Sequence, residues 1–161
     1  MSKVLYLHGL NSKLHQDRRV VLQKFDLEIF APQIDYEGNP HALQELLDNY
    51  QVDMVIGSSA GGLAGFYFSG VKDLPALLFN PALPFRHYIQ QIPDLQKRTT
   101  FLQVVIGGRD VDVPAQKTFD YLTQNYDQSV PMQIHWFNQM AHRIPIDVFE
   151  QEVKFFIDRL K

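Results

Sequence analysis

The stretch Val52-Asp53-Met54-Val55-Ile56-Gly57-Ser58-Ser59-Ala60-Gly61-Gly62-Leu63-Ala64-Gly65-Phe66-Tyr67-Phe68 decides how this chain folds. Its first five residues form a mostly apolar run of strand length. From Gly62 to Ser69 the pattern is helix-like. Between them lies Gly-x-Ser-x-Gly, with Gly57 and Gly61 framing Ser59. A strand that turns sharply into a helix brings its own backbone close to neighbouring strands, so the positions two before and two after the turn must be small. Such a turn lifts the Ser59 hydroxyl above the sheet. Ser58 lacks the symmetric glycine frame. The five-residue pattern is common by chance; the strand before it and the helix after it give it weight.

The same alternation continues in both directions. Strands are predicted over Val4–Leu7, Leu27–Ala31, Val52–Ile56, Ala76–Phe79, Phe101–Ile106 and Met132–Phe137. Most are continuous apolar runs, which suits parallel strands covered on both faces. Helices are predicted over 16–24, 40–50, 62–69, 114–126 and 146–160, with a short one over 85–92. Asn39, ahead of Pro40, is expected to cap the second of these. A β-α alternation from end to end implies three layers, α/β/α, around an open, mostly parallel sheet of about six strands. The 161 residues fit one domain, 1–161, and no linker-like tract divides them. The connections leave no room for a large lid. Only residues 80–98, with Pro81, Pro84 and Pro93, can shape a small cover.

Composition narrows the function. At 45% hydrophobic residues the chain can bury a sizeable core. A formal net charge of -3 gives no general attraction to nucleic acid or to an anionic membrane. There are no cysteines, which removes disulfides, thiolate metal sites and a cysteine nucleophile together. No Gly-x-x-x-x-Gly-Lys-Ser/Thr occurs, no Gly-x-Gly-x-x-Gly follows the first strand, and no His-Glu-x-x-His is present. Neither a cofactor nor a metal is expected. The amino-terminal apolar run is too short for a signal peptide and no segment reaches membrane-spanning length, so the expected location is cytoplasmic.

A serine hydroxyl becomes a nucleophile only beside a neutral histidine that takes its proton, itself oriented by a carboxylate. In an open α/β sheet those groups belong on loops at the carboxyl ends of strands. The loop after Phe101–Ile106 offers Asp110 and Asp112. Asp110 is favoured: it lies nearer the strand end, and Gly107-Gly108 lets the loop turn back over the sheet. Asp112, just ahead of Val113-Pro114, reads as a helix cap. The loop after Met132–Phe137 offers His142, whereas His135 falls inside the strand and reads as a packed or edge residue. The order serine, aspartate, histidine is that of the α/β-hydrolases. The backbone N–H of Ala60 and that of Leu10, on the loop after the first strand, are the expected oxyanion donors. Leu10, Phe85 and Met140 are candidates to line an acyl pocket, and His8 reads as a structural loop residue.

Leu5-Tyr6-Leu7-His8-Gly9-Leu10-Asn11-Ser12, Gly57-Ser58-Ser59-Ala60-Gly61-Gly62 and Asn80-Pro81-Ala82 together resemble the YqiA/YcfP-like family of small bacterial esterases, cap-less members of the α/β-hydrolase superfamily. The resemblance runs from the first strand to His142. It implies a minimal α/β-hydrolase fold and serine esterase or thioesterase activity on a small-molecule acyl substrate, with Ser59 as nucleophile, Asp110 as acid and His142 as base. The chain departs from the family pattern twice. Gln139-Met140-Ala141 stands where a glycine commonly precedes the histidine, and Ala60 stands where leucine commonly follows the nucleophile. The smaller Ala60 widens the site and leaves the backbone donor in place. The competing expectation is a catalytically silent binding protein that keeps the hydrolase fold.

Overall fold

Six apolar runs pair as the sheet β2-β1-β3-β4-β5-β6, every neighbour parallel: β1 (Ser2–Leu7), β2 (Leu27–Phe30), β3 (Met54–Ser58), β4 (Ala76–Phe79), β5 (Leu102–Gly107) and β6 (Met132–Phe137). This is a computed structural model, and it describes residues 1–89 and 91–161. Among the described residues four α-helices connect strands, α1 (Gln16–Gln23), α2 (Ala42–Asn49), α3 (Ala60–Lys72) and α4 (Ala115–Asn125), and α5 (Ile146–Leu160) follows β6.

Alternate residues of each strand serve opposite faces. Leu5, Leu7, Val55, Leu78, Val104 and Ile106 pack with α2, α3 and α4. Val4, Tyr6, Ile56, Leu77, Phe79 and Val105 pack with α1 and α5. The result is the three-layer α/β/α arrangement expected of continuous apolar strands. The chain lays β2 on one side of β1 and then returns to lay β3 on the other. That reversal opens a crevice at the carboxyl ends of β1 and β3, where ligands of open α/β sheets bind.

Several boundaries shift from expectation, β3 from Val52–Ile56 to Met54–Ser58 among them, and three further differences stand out. The helix after β3 runs from Ala60 to Lys72, beginning directly at the serine and ending at Asp73 in the left-handed region (φ 48°). Asn39 does not cap α2, whose cap position is His41; instead Asn39 Oδ1 accepts the His41 N–H (3.0 Å) and closes a turn ahead of the helix. The short helix expected over 85–92 is a 3₁₀ turn, Leu83–Tyr88, held by Pro84 near its start. Gln90, within that expected span, lies outside the described residues.

At the opposite end of the sheet, Asp73 ties Thr99 and Thr100 down. Its carboxylate accepts the N–H groups of Thr99 (2.9 Å) and Thr100 (3.1 Å) and both threonine hydroxyls. Burial alone would raise the Asp73 pKa, but these hydrogen bonds outweigh it and hold the carboxyl at about 2.

Candidate active site

Ser59 occupies the cap position of α3 with φ 56° and ψ −117°, a conformation that a non-glycine residue adopts only when its surroundings hold it there. The surroundings do so from three directions. The Ser59 N–H donates to Phe79 O (3.0 Å), and Ser59 O accepts N–H groups from Leu63 (3.0 Å) and Ala82 (3.0 Å). A Cβ on Gly57 would strike Gly61 O, and one on Gly61 would strike the carbonyl oxygens of Leu7 and His8. The glycine frame read from sequence is thus a close-approach requirement, with α3 starting directly against β1.

Asp110 is buried at the end of the β5 loop, its side chain fully shielded from solvent. Oδ1 accepts N–H groups from Asp112 (3.0 Å) and Val113 (2.9 Å); Oδ2 faces His142 Nδ1 at 2.7 Å. All these contacts run from donors to the carboxylate. The neutral imidazole therefore carries its proton on Nδ1 and presents the Nε2 lone pair outward. Asp112 is exposed, and its carboxylate lies within 4.8 Å of the ligand atoms of Asp110 and His142. His135 sits on β6 under α5, where Nδ1 meets the buried Glu152 at 2.5 Å, so it is a packed residue of the sheet edge.

The loop after β1 is built around His8. Its Nδ1 donates to Gly9 O (2.5 Å) and its Nε2 accepts the Ile34 N–H (2.8 Å), so both ring nitrogens are occupied. The Tyr36 hydroxyl donates to His8 O (2.7 Å), and burial pushes the phenol pKa up, keeping it a neutral donor. This scaffold holds Leu10 beside the elbow. Among the described residues neither the Leu10 N–H nor the Ala60 N–H donates to a protein acceptor, and both residues border the same cavity as Ser59 and His142.

That cavity measures about 1340 Å³ and straddles the carboxyl edge of the sheet. Leu43, Leu63, Ala82 and Ile89 line the flank on the α2–α3 side; Lys13, Asp17, Arg18 and Arg143 bring charge to the α1–α5 side. Leu10 and Phe85, two of the three candidate pocket residues, border the cavity. Met140 does not. Its side chain is buried in the core beneath α5 with Val105 and Phe149, because its own carbonyl packs onto Gly107 and turns the side chain inward.

Sequence reasoning passed over Asn80. Its buried side chain donates from Nδ2 to Ala141 O (3.2 Å) and His142 O (2.9 Å), and Oδ1 accepts the Gly107 N–H (2.7 Å). The available sequence signal was an asparagine ahead of Pro81 at the end of an apolar strand; the structure puts it in the left-handed region (φ 39°).

A family model described as "Uncharacterised protein family (UPF0227)" matches residues 3–105. The chain belongs to this family. UPF0227 is the YqiA/YcfP family, and the matched span runs from within β1 into β5, takes in Ser59 and Asn80, and ends before Asp110 and His142. Solved structures with the same architecture include an uncharacterized protein from Bacillus cereus (TM-score 0.80, 17% identity, 98% of this chain and 59% of that one). Est1E from Butyrivibrio proteoclasticus, solved with ferulic acid bound, aligns at TM-score 0.72 with 14% identity over 99% of this chain and 90% of that one. Alpha/beta hydrolase domain-containing protein 10 from mouse aligns at 0.71 with 13% identity over the same shares, 99% and 90%. The UPF0227 chain thus has a minimal α/β-hydrolase fold. Among the described residues no helix is long and apolar enough to cross a membrane.

Proposed function

We propose that the protein is a serine hydrolase that cleaves an ester or thioester of a small or medium acyl group. The observation that carries this reading is the Asp110–His142 pair, 2.7 Å apart, whose imidazole borders the same cavity as Ser59 on its strained elbow. Asp110 orients the imidazole and stabilises it when charged. His142 Nε2 takes the Ser59 proton as Oγ attacks the carbonyl carbon. The oxyanion that forms is held by the Ala60 and Leu10 N–H groups, the first of them at the start of α3, where the helix dipole favours negative charge. His142 then gives the proton to the departing alcohol or thiol, and water, deprotonated by the same nitrogen, releases the acyl group from Ser59.

The acyl portion belongs on the apolar flank formed by Leu43, Leu63, Phe85 and Ile89, and the leaving group on the charged side. Among the described residues no large lid covers either side, so selectivity for acyl length rests on the wall around the 3₁₀ turn. A fluorophosphonate probe tests the reading: it should label the wild type in a single position and leave Ser59→Ala unlabelled. A folded wild type that resists the probe would point instead to a binding protein on a hydrolase fold.

A further inference from the structure

The turn after β4 contributes no side chain to the proposed chemistry, yet it touches every loop that does. Phe79 O and the Ala82 N–H grip Ser59 on both sides of its strained peptide unit (3.0 Å each). Pro81 packs so tightly against α3 that a Cβ on Gly62 would come within 2.7 Å of its Cα. Between them Asn80 spans the other two loops, reaching Gly107 at the root of the acid loop and the carbonyls of Ala141 and His142 on the base loop.

We propose that Asn80 is a positioning residue that fixes the His142 loop against the Asp110 loop and so sets where the imidazole stands relative to Ser59. The proposal rests on the hydrolase reading above. Three features make an asparagine the fitting residue. Its backbone N–H is committed to Val105 O (2.8 Å), which anchors it to β5. Its φ of 39° lies in the left-handed region, which asparagine enters more readily than other side-chain-bearing residues. Its amide offers two donors and one acceptor, and all three functions are used.

The need for the bridge follows from the His142 loop. Residues 138–145 contain no glycine, so the loop cannot relax into a tighter turn. It descends onto Gly107 instead: a Cβ there would lie 2.5 Å from Met140 O and 2.6 Å from Ala141 O. The Arg109 N–H takes Met140 O (3.0 Å), which leaves the Ala141 and His142 carbonyls to Asn80. Arg18 adds a tether further along, donating to Ile144 O (2.9 Å). Without the Nδ2 donors, the segment carrying the base loses its link to β4, the strand that also holds Ser59.

The test is Asn80→Asp, which has the same shape, keeps the acceptor for Gly107 and sets a carboxylate oxygen against the two base-loop carbonyls in place of the donors. Two readouts are needed. Hydrogen exchange should quicken in peptides covering 138–145 and stay unchanged in those covering β3 and α3. With a chromogenic ester, kcat should fall by roughly tenfold to a hundredfold while KM changes little, the pattern of a misplaced reacting group. A wild type that never turns over an ester or takes the probe would sink the hydrolase reading, while the exchange data would still decide whether Asn80 holds the loop. Unchanged exchange in 138–145, or faster exchange with unchanged kcat, overturns the positioning role. If Asn80→Asp does not fold, Asn80→Ser, shorter and uncharged, is read by the same two criteria.

Discussion

Replacing Asp110 by asparagine tests the proposed site most directly, and the structure says what should happen. Oδ1 is held by the N–H groups of Asp112 and Val113, so the amide oxygen of the substituted side chain would take that place. Its NH₂ group is then left opposite His142 Nδ1, where the wild type has an acceptor at 2.7 Å. A donor there forces the imidazole to accept at Nδ1 and to carry its proton on Nε2. In that tautomer it cannot take the Ser59 proton. The expected loss in kcat is about 10⁴-fold, or about 5 kcal/mol in the barrier, with the fold retained because shape and backbone contacts are kept. Asp112→Asn is the companion. Its carboxylate is exposed and lies within 4.8 Å of the pair. At such a separation in a water-like dielectric one unit charge is worth about 0.9 kcal/mol, so the loss should stay within about fivefold. Hydrolysis of p-nitrophenyl esters with a parallel melting curve measures both variants. Asp112→Asn proving the more damaging, or Asp110→Asn remaining within tenfold of wild type, would refute the assignment of the acid.

Other perturbations reach different parts of the molecule. Gly61→Ala drives a methyl group into the carbonyl oxygens of Leu7 and His8, so the seam between α3 and β1 must part; a loss of about 3 kcal/mol or more is expected in chemical denaturation. Asp73, held at about 2 by its threonine donors, contributes stability that is present above the unfolded aspartate pKa near 4 and is lost as pH falls towards 2. Allowing for solvent screening this is about 1 kcal/mol, so Asp73→Asn should lie below wild type in Tm at pH 6 and converge with it near pH 2. Phe85→Ala removes a half-exposed wall of the apolar flank; KM for longer acyl esters should rise about fivefold while acetate is little affected, and an equal effect on both would place the acyl group elsewhere.

What the sequence could and could not disclose follows from which contacts are local. The limits of β4, β6 and α5 are legible because each is an apolar run or helical repeat bounded by its own neighbours. The elbow is legible for the same reason: the strand, the two glycines and the helix that strain Ser59 all lie within a few positions of it. That Asp110 rather than Asp112 pairs with His142 follows from the distance of each from its strand end and the turn allowed by Gly107-Gly108. Met140 was misread because adjacency in sequence to His142 says nothing about direction, and the descent of the loop onto Gly107 sends that side chain into the core. The bridging contacts of Asn80 were not legible from its own motif for a related reason. Its partners lie 27, 61 and 62 positions away, and only the parallel stacking of β4, β5 and β6 brings three strand ends under one amide. Local pattern thus discloses where the proposed reacting groups sit on their own loops. What holds those loops to one another is written across strands, in an asparagine whose left-handed turn gains meaning only once the sheet has formed.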